Sequence, residues 1–139
     1  IVLKKLGYKI AVISGAFSCV ADRFKEILGI DYLYSNTLEI QNGQVTGRVL
    51  TPIVNAQRKA DLLDVIAQLE KISLDQVIAI GDGANDLLML EKAGLGIAFN
   101  AKPMVREKAD LSINQKNLQS ILYLLGISSR DLQQVLSKN

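Results

Sequence analysis

The feature that most constrains this chain is the alternation of short apolar runs with segments whose apolar residues recur at helical spacing. Residues 9–14, 77–80 and 96–99 are apolar runs of strand length, and a helix-like segment follows each of them. Such alternation predicts an α/β domain with a mainly parallel sheet. Because the sequence contains no repeat, low-complexity tract or linker, we expect one domain over residues 1–139.

Turn and cap residues mark where the predicted elements begin and end. Asn42-Gly43 lies between two β-prone runs and predicts an antiparallel hairpin, because both residues accept positive φ. Ser128 and Asp131 form a predicted capping pair before the last helix. Together with the apolar spacing, these signals predict helices over 1–6, 17–28, 87–93 and 103–108, and further helices whose apolar faces span 62–69, 118–125 and 132–136, with Gly7, Gly29, Gly94 and Gly126 as stops.

Three expectations about burial follow from the same patterns. The apolar face of the segment 17–28, which includes Phe24 and Leu28, should pack on the sheet. The run 77–80 is so uniformly apolar that we expect it to be buried on both faces. The short run 111–113 is expected to be an edge strand.

Composition excludes several classes of chemistry and partner. The 139 residues include no histidine, so serine–histidine, cysteine–histidine and HExxH zinc sites cannot be built from this chain. Cys19 is the only cysteine, which rules out an internal disulfide, and we expect it to be a buried apolar residue. Scattered charges that sum to +2 argue against a nucleic-acid partner. The apolar runs are shorter than the ~20 residues of a membrane helix, so the predicted location is the cytoplasm.

Two segments combine a polar side chain with a predicted helix start. In Ser14-Gly15-Ala16, a hydroxyl and two backbone amides after a strand predict an anion cradle at a helix N-terminus. The alternative is that Ser14 only caps the helix. Lys59 lies in a predicted first helical turn and needs an anion if it points inward. Its alternative is a solvated surface lysine.

A third segment, Gly81 to Asp86, reads Gly-Asp-Gly-Ala-Asn-Asp after an apolar strand. Its Asp82, Asn85 and Asp86 supply carboxylate and amide oxygens, which suit Mg²⁺. A dinucleotide-binding fingerprint is excluded, because Asp86 replaces the third glycine and would repel a pyrophosphate. The alternative is structural, with Asp82 in a turn and Asn85 or Asp86 capping the next helix.

Taken in order, Ser14, Lys59 and the Gly81 to Asp86 segment resemble motifs II, III and IV of the haloacid dehalogenase-like hydrolases. Within that superfamily the chain is most similar to the phosphoserine phosphatases, through the segments 14–17, 36–39, 45–49, 56–61 and 93–98. The resemblance implies a Rossmann-like three-layer α/β sandwich with a β-hairpin insertion. It also implies a Mg²⁺-dependent phosphomonoesterase that converts phosphoserine to serine and phosphate through an aspartyl-phosphate intermediate.

The resemblance also implies a role for each matching residue. Phosphoryl transfer depends more on placed cations and donors than on acid–base groups, and the matching positions supply both. The implied roles are phosphoryl-oxygen ligands (Ser14, the Gly15 amide and Asn85), the neutralising cation (Lys59), the Mg²⁺ ligand (Asp82), and the residue that holds Lys59 or the metal's waters (Asp86).

Two departures from the family pattern limit the resemblance. Ala16 stands where the family has a second glycine, so a negative φ is expected there. The Asp-x-Asp motif that carries the family's nucleophile is absent, since no two aspartates are two positions apart. The strand that bears it, which the family places between the strands 9–14 and 77–80, and the substrate-binding cap are also missing. We therefore expect residues 1–139 to be the C-terminal part of one catalytic core domain, incomplete at its N-terminal side.

Three functions stay open on these observations. The first is a phosphoserine phosphatase fragment that is inactive alone. The second is a phosphatase of the same superfamily that acts on another small phosphate ester. The third is a non-catalytic module that binds phosphate or a partner. The missing strand would leave two open sheet edges, through which such a module could also self-associate.

Overall fold

The computed structural model describes residues 1–137 except for the side chains of residues 19–22, so the prediction for Cys19 lies outside it. The strands are β1 (Ala11–Phe17), β2 (Tyr32–Gln41), β3 (Gln44–Leu50), β4 (Ile78–Gly81), β5 (Leu95–Phe99) and β6 (Leu111–Ile113). The α-helices are α1 (Val2–Lys5), α2 (Ser18–Leu28), α3 (Ala56–Glu70), α4 (Leu87–Lys92), α5 (Pro103–Lys108), α6 (Ser120–Leu124) and α7 (Ser129–Ser137). The predicted strands and helices are thus confirmed. Within the described residues, none of these helices has the length and apolar character that crossing a membrane requires.

The strands form two three-stranded sheets. In one sheet, β2 lies between β1, which is parallel to it, and β3, which is antiparallel. In the other, β5 lies between β4 and β6 and is parallel to both. β1 and β4 are therefore edge strands, and no ladder of hydrogen bonds joins them in the described part of the chain. This arrangement confirms the two open edges and the edge position of β6 expected from the sequence.

Local signals set the turns and several helix ends as predicted. Asn42 and Gly43 have φ values of 51° and 77°, the pair of positive values that a tight hairpin turn requires. Gly29 ends α2 in the left-handed conformation. Before α7, the Asp131 N–H donates to Ser128 Oγ at 3.2 Å and the Ser128 N–H donates to Asp131 Oδ2 at 2.9 Å.

Gly94 lies just beyond the end of α4, but it does not close the helix as predicted. Gly94 is not among the residues with positive φ, and the extended residue Ala93 already ends the helix. A Cβ on Gly94 would lie 2.4 Å from the Asp75 carbonyl oxygen. Glycine is required there because a neighbouring 3₁₀ turn, Leu74–Gln76, passes too close for any side chain.

Two clusters of buried side chains form the core, and both lie on the parallel sheet. Burial of a side chain such as Leu90, which is 1% exposed, stabilises the fold by ~1.5–3 kcal/mol. Ile13 of β1 packs against the larger cluster and so connects the two sheets. The larger cluster contains Leu63, Ala79, Met89, Leu90, Ala98 and Val105, and the smaller contains Ile97, Ile113 and Ile121.

Two predictions of burial are wrong. Phe24 and Leu28 on α2 are 51% and 56% exposed, because the described part of the chain leaves that side of the helix uncovered even though α2 contacts β1 and β2. Ile80 in β4 is 37% exposed, because no strand among the described residues lies beside β4 on one side. Periodicity in the sequence indicates an apolar face, but it does not say which segment covers that face.

Candidate active site

Lys59 is the best-defined residue of the predicted site. Asn55 caps α3 by accepting a hydrogen bond from the Arg58 N–H at 2.8 Å, and Lys59 follows in the first turn. The Lys59 side chain is buried, with Nζ 2.7 Å from Asp86 Oδ1. The interpretation of Lys59 as a solvated surface lysine is therefore wrong. Since both partners are buried, removing either one would leave an uncompensated charge in the interior.

Asp86 uses both of its carboxylate oxygens. Oδ1 accepts a hydrogen bond from Lys59, while Oδ2 accepts from the backbone N–H groups of Asp82 at 3.2 Å and Gly83 at 3.1 Å. Among the described residues, Asp86 makes no capping hydrogen bond to α4, but its bond from the Gly83 N–H caps the 3₁₀ turn Ala84–Asp86 that leads into α4, so the capping alternative holds in part. The carboxylate also ties Lys59 to the loop that follows β4.

Space rather than backbone conformation restricts the two glycines of this loop, Gly81 more strictly than Gly83. A Cβ on Gly81 would lie 2.5 Å from the Cβ of Asp86, and one on Gly83 would lie 2.5 Å from Oδ1 of Asn85. Real Cβ atoms do not approach other atoms so closely, so a side chain at Gly81 would force the loop to move, whereas one at Gly83 would displace only the end of the exposed Asn85 side chain. The Gly-Asp-Gly-x-Asn-Asp pattern therefore describes a loop folded back tightly onto its own last two side chains.

Asp82 and Asn85 are the exposed polar members of the loop. Over the described residues, no group hydrogen-bonds the Asp82 carboxylate, and no cluster of three His, Cys, Asp or Glu side chains could enclose a metal by itself. Mg²⁺ does not need such a cluster, since it keeps several waters and takes its other ligands from one or two carboxylates and a phosphate. An unpaired carboxylate beside the Lys59–Asp86 pair fits that ligand set.

The structure places Ser14 and Gly15 differently from the sequence prediction. Both lie within β1, which continues to Phe17 with an irregular register, and α2 begins only after Phe17. The predicted cradle at a helix N-terminus is therefore wrong, and so is the capping alternative, because Phe17 holds the cap position. Ser14 Oγ accepts a hydrogen bond from the Ala16 N–H at 3.0 Å, which leaves the hydroxyl proton available to another acceptor. Ala16 has no positive φ, as expected.

The hydroxyl, the lysine and the glycine-rich loop all lie in a stretch that matches a known protein family. The sequence model of the haloacid dehalogenase-like hydrolases matches residues 2–91, more than half of the chain. This chain belongs to that family. The resemblance stated from the motifs is thereby confirmed.

Several phosphoserine phosphatases are similar to this haloacid dehalogenase-like chain. The phosphoserine phosphatase of Archaeoglobus fulgidus is 52% identical over 125 residues, which cover 90% of this chain and 36% of that protein. The crystal structure of a probable phosphoserine phosphatase from Vibrio cholerae has a TM-score of 0.86 at 42% identity, over 95% of this chain and 41% of that one. A phosphoserine phosphatase solved as a phospho-aspartyl intermediate analogue has a TM-score of 0.82 at 44% identity, over 88% and 58%.

The structural similarity confirms the predicted fold class, a Rossmann-like α/β fold with mainly parallel strands and a β-hairpin. The chain spans 36–58% of the length of these three relatives. Because the coverage is partial, the substrate named for these relatives serves only as support for a proposed function of the whole protein.

Asn36 is a residue of this region that the sequence analysis did not single out. It lies on β2 and is 8% exposed. Its side-chain amide donates from Nδ2 to the Gly15 carbonyl at 2.9 Å and accepts at Oδ1 from the Val54 N–H at 2.8 Å. The available signal was an asparagine inside a β-prone run, where this residue type is disfavoured unless its amide has partners.

The contacts join the predicted segments to different degrees. Lys59 contacts Asp86 directly, whereas Gly15 is connected to the start of α3 through Asn36 and Val54. A Cβ on Gly15 would lie 3.9 Å from the Val54 carbonyl oxygen, so these two backbone segments are neighbours. No hydrogen bond within the described residues joins the Ser14 segment directly to the lysine or the loop. Their convergence on one phosphate stays a prediction.

A cavity of about 490 Å³ lies between β2 and the start of α3. Its lining includes Ser18, Val54 and Arg58, but none of the residues predicted to bind phosphate or metal. The cavity is therefore separate from the predicted site.

Proposed function

We propose that this chain forms part of the catalytic domain of a Mg²⁺-dependent phosphomonoesterase whose substrate is phosphoserine. The proposed reaction converts phosphoserine and water to serine and inorganic phosphate through an aspartyl-phosphate intermediate. The observation that carries the proposal is the buried Lys59–Asp86 pair at 2.7 Å, which also holds the loop of Asp82. Support comes from the identity of 42–52% to phosphoserine phosphatases.

Lys59 is proposed to be the cation that stabilises the phosphoryl group in transfer. That group carries charge on three equatorial oxygens, and cations already held in place stabilise it without reorganising. Asp86 holds Nζ at 2.7 Å in a residue that is 6% exposed, so the ammonium position is fixed before substrate binds. An ammonium group has three donors, so two are left for phosphoryl oxygens after the bond to Asp86.

Ser14, the Gly15 amide and Asn85 are proposed to donate hydrogen bonds to the same phosphoryl oxygens. The Ala16 N–H occupies one lone pair of Ser14 Oγ, which favours a hydroxyl that donates outward. Asn85 is exposed on the loop next to Asp86, so its amide is accessible to a ligand. Several donors of this kind around one phosphoryl group provide orientation as well as charge stabilisation.

Asp82 is proposed to bind Mg²⁺, with Asp86 in a supporting position. Both Asp86 oxygens already accept hydrogen bonds, which leaves Asp82 as the carboxylate of the loop with capacity for a metal. When bound, Mg²⁺ would polarise the phosphoryl oxygens and reduce their charge. Asp86 would orient the loop through the N–H groups of Asp82 and Gly83 rather than coordinate the metal.

The proposed nucleophile is an aspartate outside these 139 residues. No two aspartates of the chain are two positions apart, and a similar phosphoserine phosphatase has been solved as a phospho-aspartyl intermediate analogue. We propose that a strand carrying this aspartate lies between the edges of β1 and β4. The 139-residue chain alone should then release no phosphate from phosphoserine with Mg²⁺ above a buffer blank. Release that Asp82→Asn abolishes would contradict this expectation.

The proposed function is tested by phosphate release from small phosphate esters with the full-length protein. We expect kcat/KM to be highest for phosphoserine in a panel with phosphothreonine, phosphotyrosine and glycerol phosphate. Chelation by EDTA should abolish hydrolysis and added Mg²⁺ should restore it. A higher kcat/KM for another ester would contradict phosphoserine as the substrate. Absence of hydrolysis for every ester in the panel would contradict the proposed function.

A non-catalytic module that binds a partner along a sheet edge is the second candidate. The observation that favours it is that β1 and β4 each present an edge without a neighbouring strand in the described residues. Unpaired edges recruit strands from other chains, including second copies of the same chain. Concentration-dependent dimerisation of the 139-residue chain in analytical ultracentrifugation would support it. Ester hydrolysis by the full-length protein would exclude it as the sole function.

A further inference from the structure

Asn36 differs from the other buried polar residues in what it contacts. The buried polar or charged residues in the described part of the chain are Asn36, Lys59 and Asp86. Lys59 and Asp86 pair with each other, whereas the Asn36 side chain contacts backbone groups of two separate segments. The buried amide of Asn36 therefore links the backbone at Gly15 to the backbone at Val54, which no strand pairing joins in the described residues.

Both segments that Asn36 contacts belong to the proposed site. The Gly15 carbonyl, which accepts from Nδ2 at 2.9 Å, directly follows Ser14. The Val54 N–H, which donates to Oδ1 at 2.8 Å, directly precedes the Asn55 cap of α3. The Asn36 side chain therefore joins, by hydrogen bonds, the Ser14 segment to the residue before the α3 cap.

The chemistry of this link requires a donor and an acceptor on one short side chain. Asparagine supplies both, aspartate supplies only acceptors when ionised, and leucine supplies neither. Loss of the donor would leave the Gly15 carbonyl facing an acceptor, so the segment that contains Ser14 would move away from β2. Loss of the acceptor would free the Val54 N–H and loosen the start of α3. These two consequences are separable by substitution.

We infer that Asn36 is a positioning residue that fixes the Ser14–Gly15 segment relative to Lys59. The inference rests on the proposed function, because it assigns these two groups to one phosphate. Asn36 itself touches neither substrate nor metal in this role. Its contribution comes through the Gly15 carbonyl and the Val54 N–H.

The test compares Asn36→Asp with Tyr32→Phe in the full-length protein. Asn36→Asp keeps an acceptor for the Val54 N–H but loses the donor to the Gly15 carbonyl. Tyr32→Phe removes another link between β2 and α3, the 2.5 Å hydrogen bond from the Tyr32 hydroxyl to Glu70 at the opposite end of α3. We expect Asn36→Asp to lower kcat on phosphoserine about 10- to 100-fold, because a displacement of Ser14 by ~1 Å has a cost of that order. Tyr32→Phe should leave kcat within about twofold, because it changes a contact at the other end of α3. Equal kcat values would overturn the inference.

A pH profile separates the lost donor from a general loss of structure. Lowering the pH protonates the introduced carboxyl group, which then regains a donor for the Gly15 carbonyl. The ratio of wild-type to Asn36→Asp activity should therefore fall as the pH is lowered. A ratio that does not change with pH, at values where both proteins stay folded, would overturn the role of the donor.

An NMR titration of the wild-type full-length protein with inorganic phosphate needs no variant. It tests the positioning role of Asn36 even if Asn36→Asp does not fold. We expect the side-chain amide resonances of Asn36 and the backbone amide of Gly15 to shift with the same apparent affinity for inorganic phosphate. An Asn36 amide that does not respond would overturn the inference. Coupled shifts without phosphoserine hydrolysis would contradict the proposed function but still support the positioning role of Asn36. Failure of the proposed function can therefore be distinguished from failure of the inference about Asn36.

Discussion

The two sheets of this chain are stabilised in different ways. Of the buried hydrophobic side chains among the described residues, Ile30 alone precedes Val54 in the sequence. The rest are Val54 and residues that follow it. The central residues of β5 are fully buried, whereas the residues of β3 are exposed except for Val49, which is half-buried. The parallel sheet is thus held by apolar packing, and the β1–β2–β3 sheet depends more on hydrogen bonds and on the Ile13 contact.

This difference divides the proposed site into two halves. Lys59 and Asp86 are anchored beside the larger core cluster, which includes Leu63 of the same helix as Lys59. Ser14 and Gly15 belong to the sheet with little buried apolar surface. The charged half is therefore expected to be rigid before substrate binds, while the hydroxyl half depends on individual polar contacts.

The largest expected effect is on the stability of the charged half. Lys59→Ala should lower the free energy of unfolding by ~3–5 kcal/mol, because it leaves Asp86 buried without its cation. The matched control is Lys92→Ala, which breaks the partly exposed pair with Asp64 and should cost no more than ~1 kcal/mol. Urea unfolding of both variants checks the difference. Equal losses would mean that the Lys59–Asp86 pair is no more buried in solution than the Lys92 pair.

The same lysine should dominate catalysis in the full-length protein. Lys59→Ala is expected to lower kcat by ~10²–10³, the usual cost of removing one electrostatic stabiliser from an active site. Lys92→Ala, which changes the same charge elsewhere, should leave kcat unchanged. Phosphate release is measured at a temperature where both variants are folded. A loss of less than threefold for Lys59→Ala would remove it from the catalytic machinery.

Apolar substitutions sharpen the comparison between the sheets. Leu90→Ala, in the larger core cluster, should lower the free energy of unfolding by ~2–5 kcal/mol because it creates a cavity. Phe24→Ala, on the exposed side of α2, removes a larger side chain but should cost less than ~1 kcal/mol. Denaturant unfolding of the 139-residue chain measures both. A Phe24→Ala loss as large as that of Leu90→Ala would show that α2 is covered in solution.

The smallest expected effect is a pH dependence at Asp31, the residue before β2. The Ile10 N–H at 2.8 Å, and secondly Lys4 at 2.5 Å, hold the pKa of Asp31 below its usual value. Since the pKa is lower in the folded state, the stabilisation is present above the unfolded value of ~3.9 and is lost as the pH falls through the folded pKa. Asp31→Asn should therefore lower Tm at pH 7 but much less at acidic pH. Lys4→Ala should reproduce only part of the loss, because the backbone hydrogen bond is the larger cause.

A Tm difference between wild type and Asp31→Asn that is the same at every pH would contradict this account. It would indicate that the ionised carboxylate of Asp31 is not what stabilises the contact between α1 and β2.

The parts of the fold that the sequence predicted correctly depend on residues close together in the chain. The Asn42-Gly43 turn and the Ser128–Asp131 cap each involve residues within three positions, so their chemistry can be read locally. The errors arose where distant segments meet. The exposure of Ile80 depends on whether a strand lies beside β4, and the need for glycine at position 94 depends on a turn 19 positions earlier, at Asp75.

The candidate site, like the fold, was predictable from the sequence only in part. The Lys59–Asp86 contact joins residues 27 positions apart, and only the family resemblance suggested it. The residues alone leave a surface lysine open as an alternative, because an isolated lysine gives no indication of its partner. Asn36 was missed because an asparagine in a β-prone run indicates that its amide has partners, but not which backbone groups they are.

The hairpin gives this protein a convenient attachment point for probes. Residues 41–44 are exposed, and the turn is five residues along β2 from Asn36, a distance of about 17 Å for an extended strand. A fluorophore or biotin at Gln41 or Gln44 would leave the positive-φ pair Asn42 and Gly43 unchanged. The protein could then be immobilised or labelled for single-molecule assays without a chemical group near the phosphate-binding residues.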